Sequence, residues 1–401
     1  MRGTASDAGR SGGWANLPDM TWLHAVPGTL DPVVVAAGSL LEDFFADDGK
    51  RRQDLEGFDE IYADIVHYII RCTHRIWEEG EIDLLHTHYA DSFPLHTSEG
   101  TQHGRDLIIK STIATQSAYP DIRLHGDDVV WSGDDVAGFH CSHRMTHTGT
   151  HLGRTAYGPP TGLTFVRRTV AHTVVRENMV IEEWLTRDEL NLVRSLGFDE
   201  VALAREIGSL EAEARGGLVV PAVGVADGTP LRIQPEPIGT LRPGQVMEEH
   251  LVRSMFHDVW NERRVDLVES YFSPDAVVST STNRSLDSPA DYRHFLLGWF
   301  SEFSDVTIDV EHVMSNARHG GRVVATRWRL HGTHDGPGPH GPPSGRKIQL
   351  IGFSHHLVRN GQIAAEWTVF DEFSLLKQIH ATEPATSRTF ERHATGGSQT
   401  R

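Results

Sequence analysis

Residues 67–192 read a second time at 250–375, and the match runs at a nearly constant offset of 183, the distance from Trp184 to Trp367. The same offset carries Gly149-Thr150-His151 onto Gly332-Thr333-His334, Gly158-Pro159-Pro160 onto Gly341-Pro342-Pro343, and His172 onto His355. His67, His74, Trp77 and Asp83 map onto His250, His257, Trp260 and Asp266, and the register slips only near Asp106/Asp291 and Gly133/Gly320. A period this long is too great for a solenoid repeat and implies two copies of one domain. The expected organisation is an N-terminal arm over 1–54, a first domain over 55–215, a linker over 216–245, a second domain over 246–384 and a disordered tail over 385–401.

Each copy is long enough to bury its own core. No apolar run approaches the roughly 18 residues of a membrane span, and the start lacks the apolar segment of a secretory signal. With only Cys72 and Cys141, no disulfide framework is expected, and the cytoplasm is the expected compartment. A formal charge of −18 repels phosphate backbones, so nucleic acid is not an expected partner.

Apolar spacing predicts a helix over 57–79, a short turn after Asp83, an extended stretch at 93–97 and a helix over 104–118. Strands follow at 122–131, 138–151, 163–176 and 179–186, then one helix from Asp188 to about Ala214. The second copy repeats this order, with helices at 247–262 and 289–302, an extended stretch at 276–281, strands at 306–315, 322–334, 346–359 and 362–369, and a helix from Asp371. Asn360-Gly361 is a favoured two-residue hairpin turn, and Glu177-Asn178 takes its place in the first copy. The fold class is therefore α+β: two tandem cone-shaped domains, each a curved, mainly antiparallel sheet with helices on one face. Such a concavity suits a small molecule.

Gly149-Thr150-His151, the Gly-Pro-Pro loop, His172 and Glu183-Trp184 leading to Asp188, with their counterparts through Glu366-Trp367 and Asp371, resemble the SnoaL-like polyketide cyclases of the nuclear-transport-factor-2-like superfamily. The resemblance covers roughly 57–200 and 245–382. It implies that Asp188 and Asp371 act as acid/base groups in a pocket, with His172 and His355 beside them as polar pocket residues. It also implies a homodimer-like pairing through the outer sheet faces, here within one chain. An Asp at the start of a helix is equally the ordinary N-cap, and a strand histidine among Val170 and Val174, or Phe353 and Leu357, equally a core residue.

Trp184, Trp367 and Arg168 are candidate substrate-binding residues, although the tryptophans also suit core positions. Glu183 and Glu366 have the opposite strand parity and are expected on the solvent or interface side. Arg168 shares the parity of His172, so a cation is expected to depress the pKa of Asp188, whereas Ile351 leaves Asp371 in an apolar setting; the second copy is therefore expected to be the more active. No metal is expected: His143, His147 and His151 lie in a strand where four residues span about 13 Å, and His86-Thr87-His88 and His355-His356 lack a carboxylate at a telling spacing. Nucleotide-binding and serine-hydrolase motifs are missing, and no cofactor is expected.

Asp/His acid–base chemistry on a small carbonyl-containing molecule is the leading expectation. Epoxide-hydrolase-like hydrolysis or lyase chemistry, with Arg144 or Arg168 as the extra charged group, and non-catalytic binding of a small molecule are the alternatives.

Overall fold

The computed structural model describes residues 51–215, 245–318 and 320–382. The expected arm up to residue 50, the linker up to residue 244 and the tail lie outside the described residues.

In the first domain the elements run α1 (Ile65–Trp77), α2 (Leu84–His88), β1 (Pro94–Thr97), β2 (Gly100–His103), α3 (Arg105–Ala118), β3 (Arg123–Asp134), β4 (Gly138–Thr150), β5 (Thr164–Arg176), β6 (Met179–Arg187), α4 (Glu189–Ser195) and α5 (Glu200–Ala214). The first helix starts later than its apolar spacing suggests because the Asp64 carboxylate accepts the His67 backbone N–H at 2.8 Å and fixes the cap. The single helix expected after Asp188 is two helices. Gly197, at φ +78°, ends the first, and Asp199 caps the second by accepting from the Val201 and Ala202 N–H groups.

The second domain comprises α6 (Met247–Met255), which continues as a π-helical segment to Asn261, then α7 (Val268–Tyr271), β7 (Phe272–Thr280), β8 (Arg284–Leu286), α8 (Pro289–Glu302), β9 (Thr307–Arg318), β10 (Gly321–Thr333), β11 (Lys347–Arg359), β12 (Gln362–Phe370) and α9 (Glu372–His380). Ser288 caps α8, and Pro289 occupies the first turn, where its missing N–H costs nothing.

The two sheets share one strand order, β2-β1-β6-β5-β4-β3 and β8-β7-β12-β11-β10-β9. The β1/β6 and β7/β12 pairs are parallel and the others antiparallel. Glu177-Asn178 and Asn360-Gly361 all have positive φ, as a primed hairpin turn requires.

Both faces of each sheet are covered. On one face Val129, Phe139, Cys141 and Val175 pack with Tyr62, Tyr68 and Ile69, and in the second domain Val324, Trp328, Leu350 and Phe370 pack with Phe256, Trp260, Leu296 and Trp299. On the other face the domains meet each other. Val130 joins Met314, Val323 and Ala325, and Val170 joins Ile351, Phe353 and Val369. Asn316 exchanges two hydrogen bonds with the backbone of Trp131, at 2.8 and 3.0 Å.

A second contact joins α9 to α5, where Gly208 lies so close to Lys377 that a Cβ would sit 2.7 Å from its carbonyl oxygen. Lys377 pairs there with Glu99 and Glu211. Among the described residues no helix is long and apolar enough to cross a membrane.

Candidate active site

The helix-covered face of the first sheet defines the inside of the first cone. Its rows follow from the strand register: Thr173 stands opposite Glu183, Ala171 opposite Leu185 and Thr169 opposite Arg187, while His143 pairs with Ala171 and His147 with Arg167. Ala171 and Leu185 pack against Ala118, Tyr119, Leu192 and Leu196 of the covering helices and their flanking turns, which fixes this face as the inner one. Glu183 and Arg187, four residues apart on β6, are about 13 Å apart along the backbone. Two smaller apolar side chains, Ala171 and Leu185, form the floor between them.

This floor is surrounded by polar groups. Glu183 is only 7 % exposed, and burial pushes its carboxyl up to about 7 against the opposing pull of Arg187. Burial pulls the imidazole of His143 down to about 3 and that of His147 well below its usual value, so both are neutral. Burial also tends to raise Glu189, but Arg167 and Arg187 outweigh it and hold the carboxylate low. Arg167 reaches Glu189 at 3.2 Å, and the Tyr157 hydroxyl donates to the same carboxylate at 2.8 Å.

Arg187 has no ion pair or hydrogen bond among the described residues, and its buried Nε lacks an acceptor. The Oγ1 atoms of Thr169 and Thr173, Nε2 of His143 and His147, and Nε of Arg167 are likewise buried without partners. Buried polar groups are normally paired, so six orphans on one face mark a surface built for polar contacts.

The second cone has the same carboxylate in a different setting. Glu366 stands opposite His356, with Oε2 3.4 Å from Nε2. The Thr368 hydroxyl donates to Glu366 Oε1 at 2.5 Å, Ser354 and Thr368 lie 2.6 Å apart, and the Trp328 indole N–H donates to Ser354 at 2.9 Å. Around this chain a narrow cavity is lined by Phe256, Trp260, Trp299, Trp328 and Phe370. Phe370 takes the place of Arg187. Gly352 takes that of Thr169, and a Cβ there would lie 2.1 Å from the Trp328 ring, so the indole fills the space over the floor.

The residues singled out from sequence lie elsewhere, and the facing expected of them is corrected. His172 and His355 point away from the cones, into the contact between the domains. His172 Nδ1 is 3.2 Å from Arg327 and its Nε2 is 3.2 Å from His140 Nδ1; His355 Nε2 is 2.9 Å from the Ser142 hydroxyl. Trp184 and Trp367 share that face, each beneath an arginine of the other domain. Arg168 reaches across to the Thr280 carbonyl at 3.0 Å and Asn283 at 2.9 Å.

Asp188 and Asp371 occupy the helix caps. Asp188 accepts from Asn191 N at 3.3 Å and from Thr282 N of the second domain at 2.7 Å, whereas Asp371 accepts from Phe373 N and Ser374 N. Arg168 does act to lower Asp188, but burial and Glu372 prevail and raise it to about 6, the opposite of the expected shift. Burial and Glu189 place Asp371 well above the usual carboxyl range. Glu183 and Glu366, expected to face outward, lie inside the cones.

A model of the SnoaL-like polyketide cyclases matches residues 67–196 and again 250–379, together well over half of the chain. The chain belongs to the SnoaL-like polyketide cyclase family. Among solved structures, a SnoaL-like polyketide cyclase from Jannaschia sp. CCS1 is 20% identical, covers 36% of this chain and 99% of its own, and has a TM-score of 0.32. AclR from Streptomyces galilaeus, described as a hydroxylase, is 21% identical over 34% of this chain and 82% of its own, with a TM-score of 0.30. IdmH from Streptomyces antibioticus, described as a polyketide cyclase, is 23% identical over 32% of this chain and 94% of its own, with a TM-score of 0.29. No curated protein matches the chain. In this tandem SnoaL-like protein both domains retain a buried glutamate at one position of the last strand; the first sets it across the floor from Arg187, whereas the second replaces that arginine with Phe370.

Proposed function

We propose that this SnoaL-like protein is an acid–base enzyme acting on a small carbonyl compound in the first cone, with Glu183 as the proton-transferring group. The observation that carries the reading is Glu183 itself: a buried carboxyl whose pKa is raised to about 7, facing a floor ringed by unpaired polar groups. A carboxyl near neutral holds and releases a proton at similar cost, which suits abstraction of a proton alpha to a carbonyl. Thr173, directly opposite, orients the reacting carbonyl or the carboxyl. Arg187, on the far side of the floor, stabilises negative charge developing on an enolate oxygen or binds an anionic substituent. The reaction proceeds by removal of a carbon-bound proton by Glu183 and its return at another atom, or by attack of the enolate carbon on a second carbonyl with ring closure, the proton held by Glu183 passing to the alkoxide so formed.

Hydrogen–deuterium exchange tests this. With 4-acetylbenzoate as probe, an aryl ketone carrying a carboxylate, the native protein accelerates loss of the methyl proton signal in deuterated buffer. Glu183→Gln abolishes the acceleration, and Glu366→Gln retains it. Exchange that survives Glu183→Gln, or native protein that gives none, overturns the reading for this substrate class.

The second cone favours a different role. One oxygen of its carboxyl group accepts from Thr368, its hydroxyls bond each other, and aromatic rings fill its floor. We read it as a filled, aromatic-packed cone without turnover.

A further inference from the structure

His140 on β4, His172 on β5 and His312 on β9 converge where the two domains meet, outside both cones. Each offers a ring nitrogen, and the three nitrogens lie within 4.8 Å of one another. His140 Nδ1 and His172 Nε2 are 3.2 Å apart. Two imidazole nitrogens bound tetrahedrally to one zinc-sized ion are about 3.4 Å apart, so this pair already has ligand spacing. The His312 ring stacks on His140 at 4.7 Å between centroids and meets His172 edge-on at 4.9 Å. Its Nε2 is buried and has no hydrogen-bond partner.

We propose that His140, His172 and His312 bind one late first-row divalent cation, of the zinc, cobalt or copper type, bridging the two domains. Three nitrogen donors of intermediate softness suit this class of ion and disfavour magnesium or calcium, which take oxygen ligands. His140 and His312 are half-buried, which gives the ion a path from solvent, while His172 is 1 % exposed and forms the base of the site. Burial lowers the proton affinity of all three rings, so they are neutral and able to ligate at pH 7.

Arg327 opposes the ion and makes the site testable. Its guanidinium only donates, and at 3.2 Å from His172 Nδ1 it places the ring proton on Nε2, the atom that faces His140. Loading therefore requires His172 to move that proton to Nδ1, with the guanidinium turning toward Glu311, to which its Nε already donates at 3.1 Å. The imidazole stays neutral throughout, and no net proton leaves it.

The test titrates cobalt(II) into metal-stripped full-length protein and follows the ligand-field absorption of a nitrogen-bound ion, with zinc competition and thermal melting alongside. Native protein is expected to bind one equivalent with such a band and to melt higher with zinc present. His140→Ala and His312→Ala, at half-buried positions, each weaken binding by at least about tenfold and lose the zinc-induced rise. Arg327→Met tightens binding. With many other histidines in the chain, the variants identify the site: binding unchanged in both histidine variants places the ion elsewhere and overturns the proposal, as does a native protein that gives no band. Circular dichroism confirms folding, and His312→Asn replaces His312→Ala if the latter unfolds. Because the site lies outside the cones, its failure leaves the Glu183 reading intact.

Discussion

Arg327 stands over the indole of Trp184 with its guanidinium carbon 3.5 Å from the ring centroid. The relationship is reciprocal: Arg144, the counterpart of Arg327, covers Trp367, the counterpart of Trp184, at 4.6 Å. A contact in which each partner meets the other's equivalent is the signature of a twofold pair. Its two halves differ in strength. Arg327 is also held by Glu311 at 3.1 Å, whereas Arg144 approaches Asp127 only to 3.7 Å.

Arg327→Met should therefore cost roughly 2–4 kcal/mol, the loss of a desolvated cation–π contact and a charged hydrogen bond. Arg144→Met should cost roughly half as much or less. Urea unfolding of both variants checks the order, and equal losses would remove Arg327 as the stronger clasp.

Glu183 links stability to pH. Its carboxyl rises from 4.5 unfolded to about 7 in the folded chain, so the folded state binds the proton more tightly. The stabilisation is fully present below pH 4.5 and is lost as pH rises through about 7. At pH 8 the buried carboxylate costs up to about 3 kcal/mol. Glu183→Gln should accordingly melt higher than native protein at pH 8 and lose that advantage at pH 5, while losing turnover at both.

The same group shapes the rate profile. As a general base Glu183 must be ionised, so kcat/KM should rise with pH through about 7, and the profile should lack this limb in Glu183→Asp if the shorter side chain leaves the carboxyl better hydrated. A flat profile across this range in native protein would count against Glu183 as the base.

Asp188 and Asp371 should behave as caps. Asparagine accepts the same N–H bonds, so Asp188→Asn and Asp371→Asn should change stability little and retain exchange activity, whereas the alanine variants should each lose about 1–2 kcal/mol. Loss of turnover in either asparagine variant with folding intact would restore an acid–base role to these residues.

The tandem organisation and the run of four long strands in each copy were legible because the 183-residue offset and the hairpin turns are local signals that survive in the chain itself. The inner face was not. In β5 almost every residue from Phe165 to Val175 is covered, since helices lie on one side and the partner domain on the other. Alternation of polar and apolar residues distinguishes inside from outside only when one face meets water. Assigning His172 rather than Glu183 to the cone followed from that ambiguity. A signal was present: an acid kept at the same strand position in both copies, where neither face is solvent, needs a reason to be there. The histidine cluster left no sequence trace, because its members come from three strands and two domains and no ligand spacing links them. The break at Gly197 was visible as a glycine followed by an Asp cap.

Asp128 lies beside His355 across the domain contact, with its carboxylate 3.7 Å from the imidazole, while the corresponding place beside His172 is held by His312. In a dimer of identical chains every such position would appear twice, and one residue would have to serve both environments. Joining the two halves in a single polypeptide removes that restriction, so a carboxylate–imidazole pair and a triad of imidazoles coexist across one axis. The covalent connection thus gives this interface two chemically distinct ends, something a symmetric assembly of one repeated subunit has no means to encode.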